Sequence, residues 1–448
     1  MLELIKASQF PTDFEWGVAT AAAQIEGAAD DAGRGLSIWD KFSERSGKTK
    51  NGATPAKACQ FYYRYSEDLL LAKWMGFKVF RFSISWSRIF PNGKGYINQE
   101  GVQFYHRLIQ ECLHLKLTPY ITLYHWDLPW ALEKEGGWTS PLVVSWFKDF
   151  ATFCAREYGS KVKNWIVLNE PAGFTTLGYM TGQHAPGRMG LTNYLPAIKH
   201  TLLAQAAGAN ALRKYVIGAN IGTSFSFSEI IPASNKETDI KAAERVDTIL
   251  NRLFVEPAIG KGLPTNDFPL MEQISMYCKP WRNNEKFSFD FDFIGIQKYF
   301  PITIKHHPLI PYLQATDIKA SSRKVPHTAL GWEINADSFY RLIMRVSQLA
   351  PNTNLYVTEN GAYFKDILLE AVVNDQERIE YFQQYLGATL QSIKDGANLK
   401  GYFAWTLTDN FEWAEGYQAR FGLVHINFKT QKRTIKNSGH WWQQFLKS

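Results

Sequence analysis

The sequence predicts an α/β protein, a single-domain (β/α)8 barrel of the TIM-barrel architecture with its active site at the C-terminal rim of the strands, and three observations predict it. Eight short apolar runs alternate with amphipathic stretches along the 448 residues. Two of those runs stop abruptly at a carboxylate and a turn residue, Glu170-Pro171 and Glu359-Asn360-Gly361. No Pro/Gly/Ser linker, charge block, low-complexity tract or short repeat marks a boundary, so residues 1–448 read as one domain.

Taken in order, strands are expected over 14–20, 78–83, 119–125, 164–169, 215–220, 291–297, 354–358 and 401–405. Their near-continuous Val, Ile, Leu and aromatic content is that of strands buried on both faces, as a parallel sheet requires. Between them, apolar residues recur at helical spacing over 56–75, 99–115, 141–158, 194–214, 238–254, 336–349 and 375–394. Strand, helix, strand repeated over this length closes most economically into a barrel, whose chemistry lies where the strands end.

Those ends carry polar and aromatic groups. Gln24 follows the first strand, Arg81 lies within the second, His125 and Trp126 close the third, and Asn169 and Glu170 the fourth. The sixth delivers Gln297 and Tyr299, the seventh Glu359 and Asn360, the eighth Trp405. Any one of these is as readily a core residue as a functional one. Seven of eight strands ending this way is hard to reach by accident. Two glutamates facing each other across a barrel mouth are what glycosidic-bond cleavage requires.

Composition excludes other classes. The net charge of +7 comes from 49 basic and 42 acidic residues that are interleaved, too dilute for a nucleic-acid footprint. No run of about 18 apolar residues is present and the N-terminal residues lack the pattern of a signal peptide, so a soluble, cytoplasmic protein without membrane association is expected. Cys59, Cys112, Cys154 and Cys278 are scattered without CxxC spacing and read as free, buried thiols. The 15 Trp suit either core packing or stacking on sugar rings.

At the level of motifs the chain resembles the family 1 glycoside hydrolases, which include β-glucosidases and β-galactosidases. The resemblance rests on Phe10 to Thr20 with Gln24-Ile25-Glu26-Gly27, on Arg81-Phe82-Ser83-Ile84-Ser85-Trp86, and on Tyr124-His125-Trp126-Asp127-Leu128-Pro129. Asn169-Glu170-Pro171, Thr358-Glu359-Asn360-Gly361 and Asp409-Asn410-Phe411-Glu412-Trp413 complete it. Six segments in the family's order span nearly the whole chain.

The resemblance implies that Glu359 is the nucleophile and Glu170 the acid/base of a retaining β-glycosidase, with Arg81 and Tyr299 keeping Glu359 anionic. It assigns Gln24, His125, Trp126, Asn169, Gln297, Glu412, Trp413 and Phe421 to substrate binding, with Trp405 as a stacking platform. No cofactor or metal is implied, and the partners are small glycosides and oligosaccharides. β-Glucosides are the expected substrates, with β-galactosides or β-fucosides as side activities. A 6-phospho-β-glycosidase is the enzymatic alternative; Glu412 argues against it, because carboxylate and phosphate repel. A non-catalytic sugar-binding relative is the alternative of another class, and the presence of both glutamates argues against that.

Departures from the family pattern are Gln297-Lys298-Tyr299, where Asn-Tyr-Tyr is common, and the small residues Ala21, Ala22, Ala23 and Ala172, which are expected to widen the entrance. The stretch 306–324 is expected to form a loop over the mouth, with His306 and His307 solvated.

Overall fold

The computed structural model describes residues 5–265, 268–279 and 286–448; residues 1–4, read above for an export signal, lie outside them. Eight parallel strands close into a barrel: β1 (Glu15–Ala19), β2 (Val79–Ser83), β3 (Thr118–Tyr124), β4 (Asn164–Asn169), β5 (Asn220–Ser226), β6 (Phe293–Gln297), β7 (Asn354–Asn360) and β8 (Leu399–Trp405). Each pairs with its sequence neighbours, and β8 returns to β1 with Trp405 opposite Ala19. Ala19 is also opposite Arg81 of β2, which fixes Arg81 and Trp405 at the same rim.

Outside the strands run α1 (Phe61–Trp74), α2 (Gln99–His114), α3 (Val143–Tyr158), α4 (Leu191–Tyr215), α5 (Glu237–Asp247), α6 (Ala336–Leu349), α7 (Gln376–Lys394) and α8 (Asn437–Phe445). The helix expected from residue 56 starts at Phe61 because Gln60 takes a left-handed conformation, which no helix interior accepts. Asn335 caps α6 by accepting a hydrogen bond from the Ser338 amide at 2.9 Å.

The barrel lumen is filled by Val79, Tyr120, Ile166, Phe293, Tyr356 and Phe403, packed edge to face. Gly17 admits Phe403: a Cβ there would lie 2.4 Å from its ring. This layer closes the barrel beneath the rim. Cys59, Cys112, Cys154 and Cys278 are free and buried. Among the described residues no helix is long and apolar enough to cross a membrane.

Three expectations need correction. The fifth strand is Asn220–Ser226, not 215–220, because α4 continues through Tyr215 and a turn with Gly218 at φ +70 follows. Ile217, inside the expected range, is 92% exposed, whereas the buried Ser224 bonds Thr358 at 2.9 Å. The stretch 306–324 is not a lid. Ile302–His306 pairs in parallel with Ile230–Pro232 and antiparallel with Ala315–Asp317, and no residue of 306–324 lines the cavity described below. His306 Nδ1 donates to the Gln314 carbonyl at 3.1 Å. Finally, Ala21, Ala22, Ala23 and Ala172 are buried and do not line that cavity, so their small size does not widen it.

Candidate active site

A cavity of about 510 Å³ opens at the C-terminal rim. Its wall includes His125, Trp126, Asn169, Glu170, Tyr299, Glu359, Trp405, Glu412, Trp413 and Phe421. Of the residues singled out in the sequence, Arg81, Gln24 and Gln297 stand behind that wall, fully enclosed.

Glu359, near the end of β7, is held by three donors. Its Oε1 accepts from Arg81 Nη1 at 2.6 Å and from Gln297 Nε2 at 2.8 Å; its Oε2 accepts from the Tyr299 hydroxyl at 2.8 Å. Burial raises the Glu359 carboxyl, and the Arg81 charge with these hydrogen bonds opposes that rise. Tyr299 is itself pushed well above its ordinary 10, by burial and by the Glu359 charge, so it remains a donor. Arg81 also donates to Asn169 Oδ1 at 2.6 Å, Thr122 Oγ1 at 3.1 Å and the Thr358 carbonyl at 3.0 Å, which immobilises it. The extra methylene of Gln297 lets one amide reach both Glu359 and Asn169 Oδ1, the latter at 2.7 Å.

Glu170 has a different environment. It sits half-buried between β4 and the short helix Pro171–Thr175, with φ +46, a left-handed conformation that costs energy for a non-glycine residue. Its carboxyl is pushed up to about 8 by burial and by the charge on Glu359; a hydrogen bond with Ser226 and the more distant Arg81 counteract. The two glutamates therefore differ in protonation. The one touching Arg81 carries the charge, and the other keeps its proton at neutral pH.

Glu412 resembles Glu170 rather than Glu359. Burial, followed by the Glu359 charge, pushes it up to about 8, and Gln24 Nε2 donates to its Oε2 at 3.3 Å. At neutral pH it is mostly uncharged. The like-charge clash with a phosphate expected from the sequence therefore does not hold in that form. What opposes a phosphate is that the cavity wall has no Lys or Arg among the described residues.

His125 accepts from Asn169 Nδ2 through Nε2 at 3.0 Å, and burial, then the Arg81 charge, keeps the ring well below 6.5. It is neutral, with its proton on Nδ1, a donor that has no hydrogen-bond partner among the described residues. Around it Trp405, Trp413 and Trp126 form an aromatic wall; His125 lies 6.0 Å from Trp405 and Trp126 5.0 Å from Trp413. Towards the mouth, Trp332 stacks on Phe300 at 4.8 Å and meets Phe421 at 5.9 Å.

Sequence reasoning missed Ser226, Phe300, Leu330 and Trp332, which line the cavity, and Leu177, Gln183 and His184 on its wall. Ser226 was hidden by the misplaced fifth strand. A tryptophan after Leu330-Gly331, in a segment without periodicity, was the available signal for Trp332.

The sequence profile described as glycosyl hydrolase family 1 matches residues 6–448. Beta-glucosidase A of Thermotoga maritima is 39% identical over 450 residues, covering 99% of each chain. A 1,4-beta-D-glucan glucohydrolase of Thermotoga neapolitana is 39% identical over 443 residues, with 98% of each covered. The solved structure of the Thermotoga maritima beta-glucosidase in complex with deoxynojirimycin superposes with a TM-score of 0.91 at 38% identity, covering 98% of both chains. With the barrel, the paired glutamates at its rim and these likenesses together, the chain belongs to glycosyl hydrolase family 1 and is a glycoside hydrolase.

Proposed function

We propose that the protein is a retaining β-glucosidase acting on unmodified, non-reducing terminal β-D-glucosides. The observation that carries this is the asymmetry of the two carboxyls: Glu359 held by Arg81, Tyr299 and Gln297, Glu170 pushed up to about 8 beside it. Glu359 attacks the anomeric carbon while Glu170 gives its proton to the departing oxygen, forming a covalent glycosyl-enzyme. Esterification removes the charge on Glu359 that raises Glu170. The proton affinity of Glu170 then falls, and it takes a proton from the incoming water.

Asn169, fixed by Arg81 and Gln297, is suited to the sugar 2-hydroxyl, where hydrogen bonds strengthen in the transition state. His125, on the cavity wall beside Asn169, is suited to a neighbouring hydroxyl. Glu412, anchored by Gln24, reads the hydroxyls at positions 4 and 6, and Trp405 stacks on the ring. The aromatic mouth of Trp332, Phe300 and Phe421 suits an aryl or second sugar aglycone. The beta-glucosidase names of the relatives support the choice of sugar.

The test is a panel of nitrophenyl β-glucoside, β-galactoside, β-fucoside and β-glucoside 6-phosphate, with proton NMR of the first-formed sugar. The β-glucoside should be hydrolysed to β-glucose, with the galactoside and fucoside slower. First-formed α-glucose would refute retention, preference for the 6-phosphate would refute the substrate assignment, and no turnover of any would favour a binding protein.

A further inference from the structure

Behind the Glu412 wall runs a buried chain of alternating charges that the reaction does not use. Asp375, Arg378, Asp366, Lys436, Asp409 and Arg420 follow one another, and all their side chains but Arg420 are at most 1% exposed. Lys436 is its hinge. Its Nζ donates to Asp366, on the loop after β7, and at 2.7 Å to Asp409 Oδ1, on the loop after β8. Asp409 in turn accepts from the Gly422 amide at 3.1 Å and from Arg420 Nη1 at 2.6 Å. It thus ties together both ends of the segment that presents Glu412, Trp413 and Phe421 to the cavity. From the other side Gln24 holds the same segment, donating to Asn410 Oδ1 at 3.2 Å and the Phe411 carbonyl at 3.1 Å.

We propose that Lys436 is a positioning residue for the sugar subsite: by fixing Asp409 against Asp366, it holds the Glu412 segment in register with the strand end that carries Glu359. Enclosed ion pairs add little net stability; what this one supplies is a fixed link between two loop positions. Arg378 makes a second tie between the two loops, donating to Asp366 at 3.0 Å and to the Arg420 carbonyl at 2.8 Å. Lys436 alone joins Asp366 to the Asp409 carboxylate, so its loss removes the tie at the start of the Glu412 segment while leaving each acid a cation, Arg378 for Asp366 and Arg420 for Asp409. The effect should fall on recognition of the sugar's far side. This inference rests on the proposed contact of Glu412 with the 6-hydroxyl.

The experiment compares kcat/KM for nitrophenyl β-glucoside and nitrophenyl β-xyloside, which lacks the hydroxymethyl group. In Lys436→Met the glucoside-to-xyloside ratio should fall about tenfold, equivalent to ~1.4 kcal/mol. General loosening of the protein would lower both substrates in proportion and leave the ratio intact, which would overturn the proposal. Glu412→Ala should collapse the ratio, and adding Lys436→Met to it should change nothing further. An equal additional loss in the Glu412→Ala background would show that Lys436 acts elsewhere. If Glu412→Ala itself keeps the ratio, the reading of Glu412 fails and this inference with it. Should Lys436→Met not fold, the charge-balanced Lys436→Met/Asp366→Asn, which retains two acids and two cations of the chain, is judged by the same ratio.

Discussion

Replacing Tyr299 by Phe removes one of the three hydrogen bonds that keep Glu359 ionised, the 2.8 Å bond to Oε2, and leaves the ring packing in place. A hydrogen bond to a charged group is worth roughly 1.5–3 kcal/mol. At about 1.36 kcal/mol per pH unit, the group limiting activity in acid should titrate about 1–2 units higher. The direction follows from charge: the hydroxyl donates only usefully to the carboxylate, so its loss favours the protonated form. Activity is therefore lost earlier as pH falls. The alkaline limb, set by Glu170 near 8, should move less, because Arg81 and Gln297 still hold charge on Glu359. The assay is the pH profile of kcat/KM with nitrophenyl glucoside, its limbs treated as properties of the coupled pair. An acid limb that does not move, whatever happens to the plateau, would refute Tyr299 as support for the anion.

Glu170→Ala should slow glucosides of poor leaving groups by roughly 10² to 10⁴, slow dinitrophenyl glucoside far less in the glycosylation step, and abolish the limb near 8. Equal losses across a leaving-group series would point to another acid. Glu359→Gly should be inactive yet folded, and azide should restore turnover as an α-glycosyl azide detectable by NMR; activity without azide would contradict the assignment. Lys298→Met should stabilise the protein. Burial pushes that amine down to about 7, and its Nζ has no hydrogen-bond partner among the described residues. Between about 7 and the ordinary 10.5 the unfolded chain binds a proton that the folded chain does not, so wild-type stability rises with pH across that window and the full penalty applies below it. Removing the amine should gain on the order of a few kcal/mol at neutral pH, read as a raised Tm that approaches wild type above pH 10. A lower Tm at pH 7 would show that Lys298 is paired.

Seven of the barrel strands were legible because each is a dense apolar run that ends in a polar or aromatic residue, the pattern a doubly covered parallel strand must show. The fifth was not. Its lumen-side residues are Ser224 and Ser226, whose hydroxyls bond Thr358 and Glu170, so its composition is that of a turn. The Glu359 cage was legible in Arg81 and Tyr299 through the family resemblance, which implied their roles, while the strand-end pattern marked only their place at the rim. Gln297 was harder, because which way its amide points depends on distances that no sequence gives. Within 306–324, Ala315–Asp317 pairs with Ile304–His306, and that strand, Ile302–His306, pairs with Ile230–Pro232, a contact between segments roughly 70 residues apart that has no local signature. For the same reason Glu412 was read as charged: its proton depends first on burial and then on the Glu359 charge nearby, neither of which is visible in sequence.

The central claim is that Glu359, held ionised by Arg81, Tyr299 and Gln297, forms the covalent bond to the sugar. The most direct measurement is mass spectrometry of the protein digested after inactivation by 2,4-dinitrophenyl 2-deoxy-2-fluoro-β-glucoside, which slows the second step and lets the glycosyl-enzyme accumulate. The account predicts one fluoroglucosyl adduct on the peptide containing Thr358-Glu359-Asn360-Gly361, attached to Glu359. An adduct on Glu170, on Glu412 or on any other residue, or inactivation without an adduct, would contradict it.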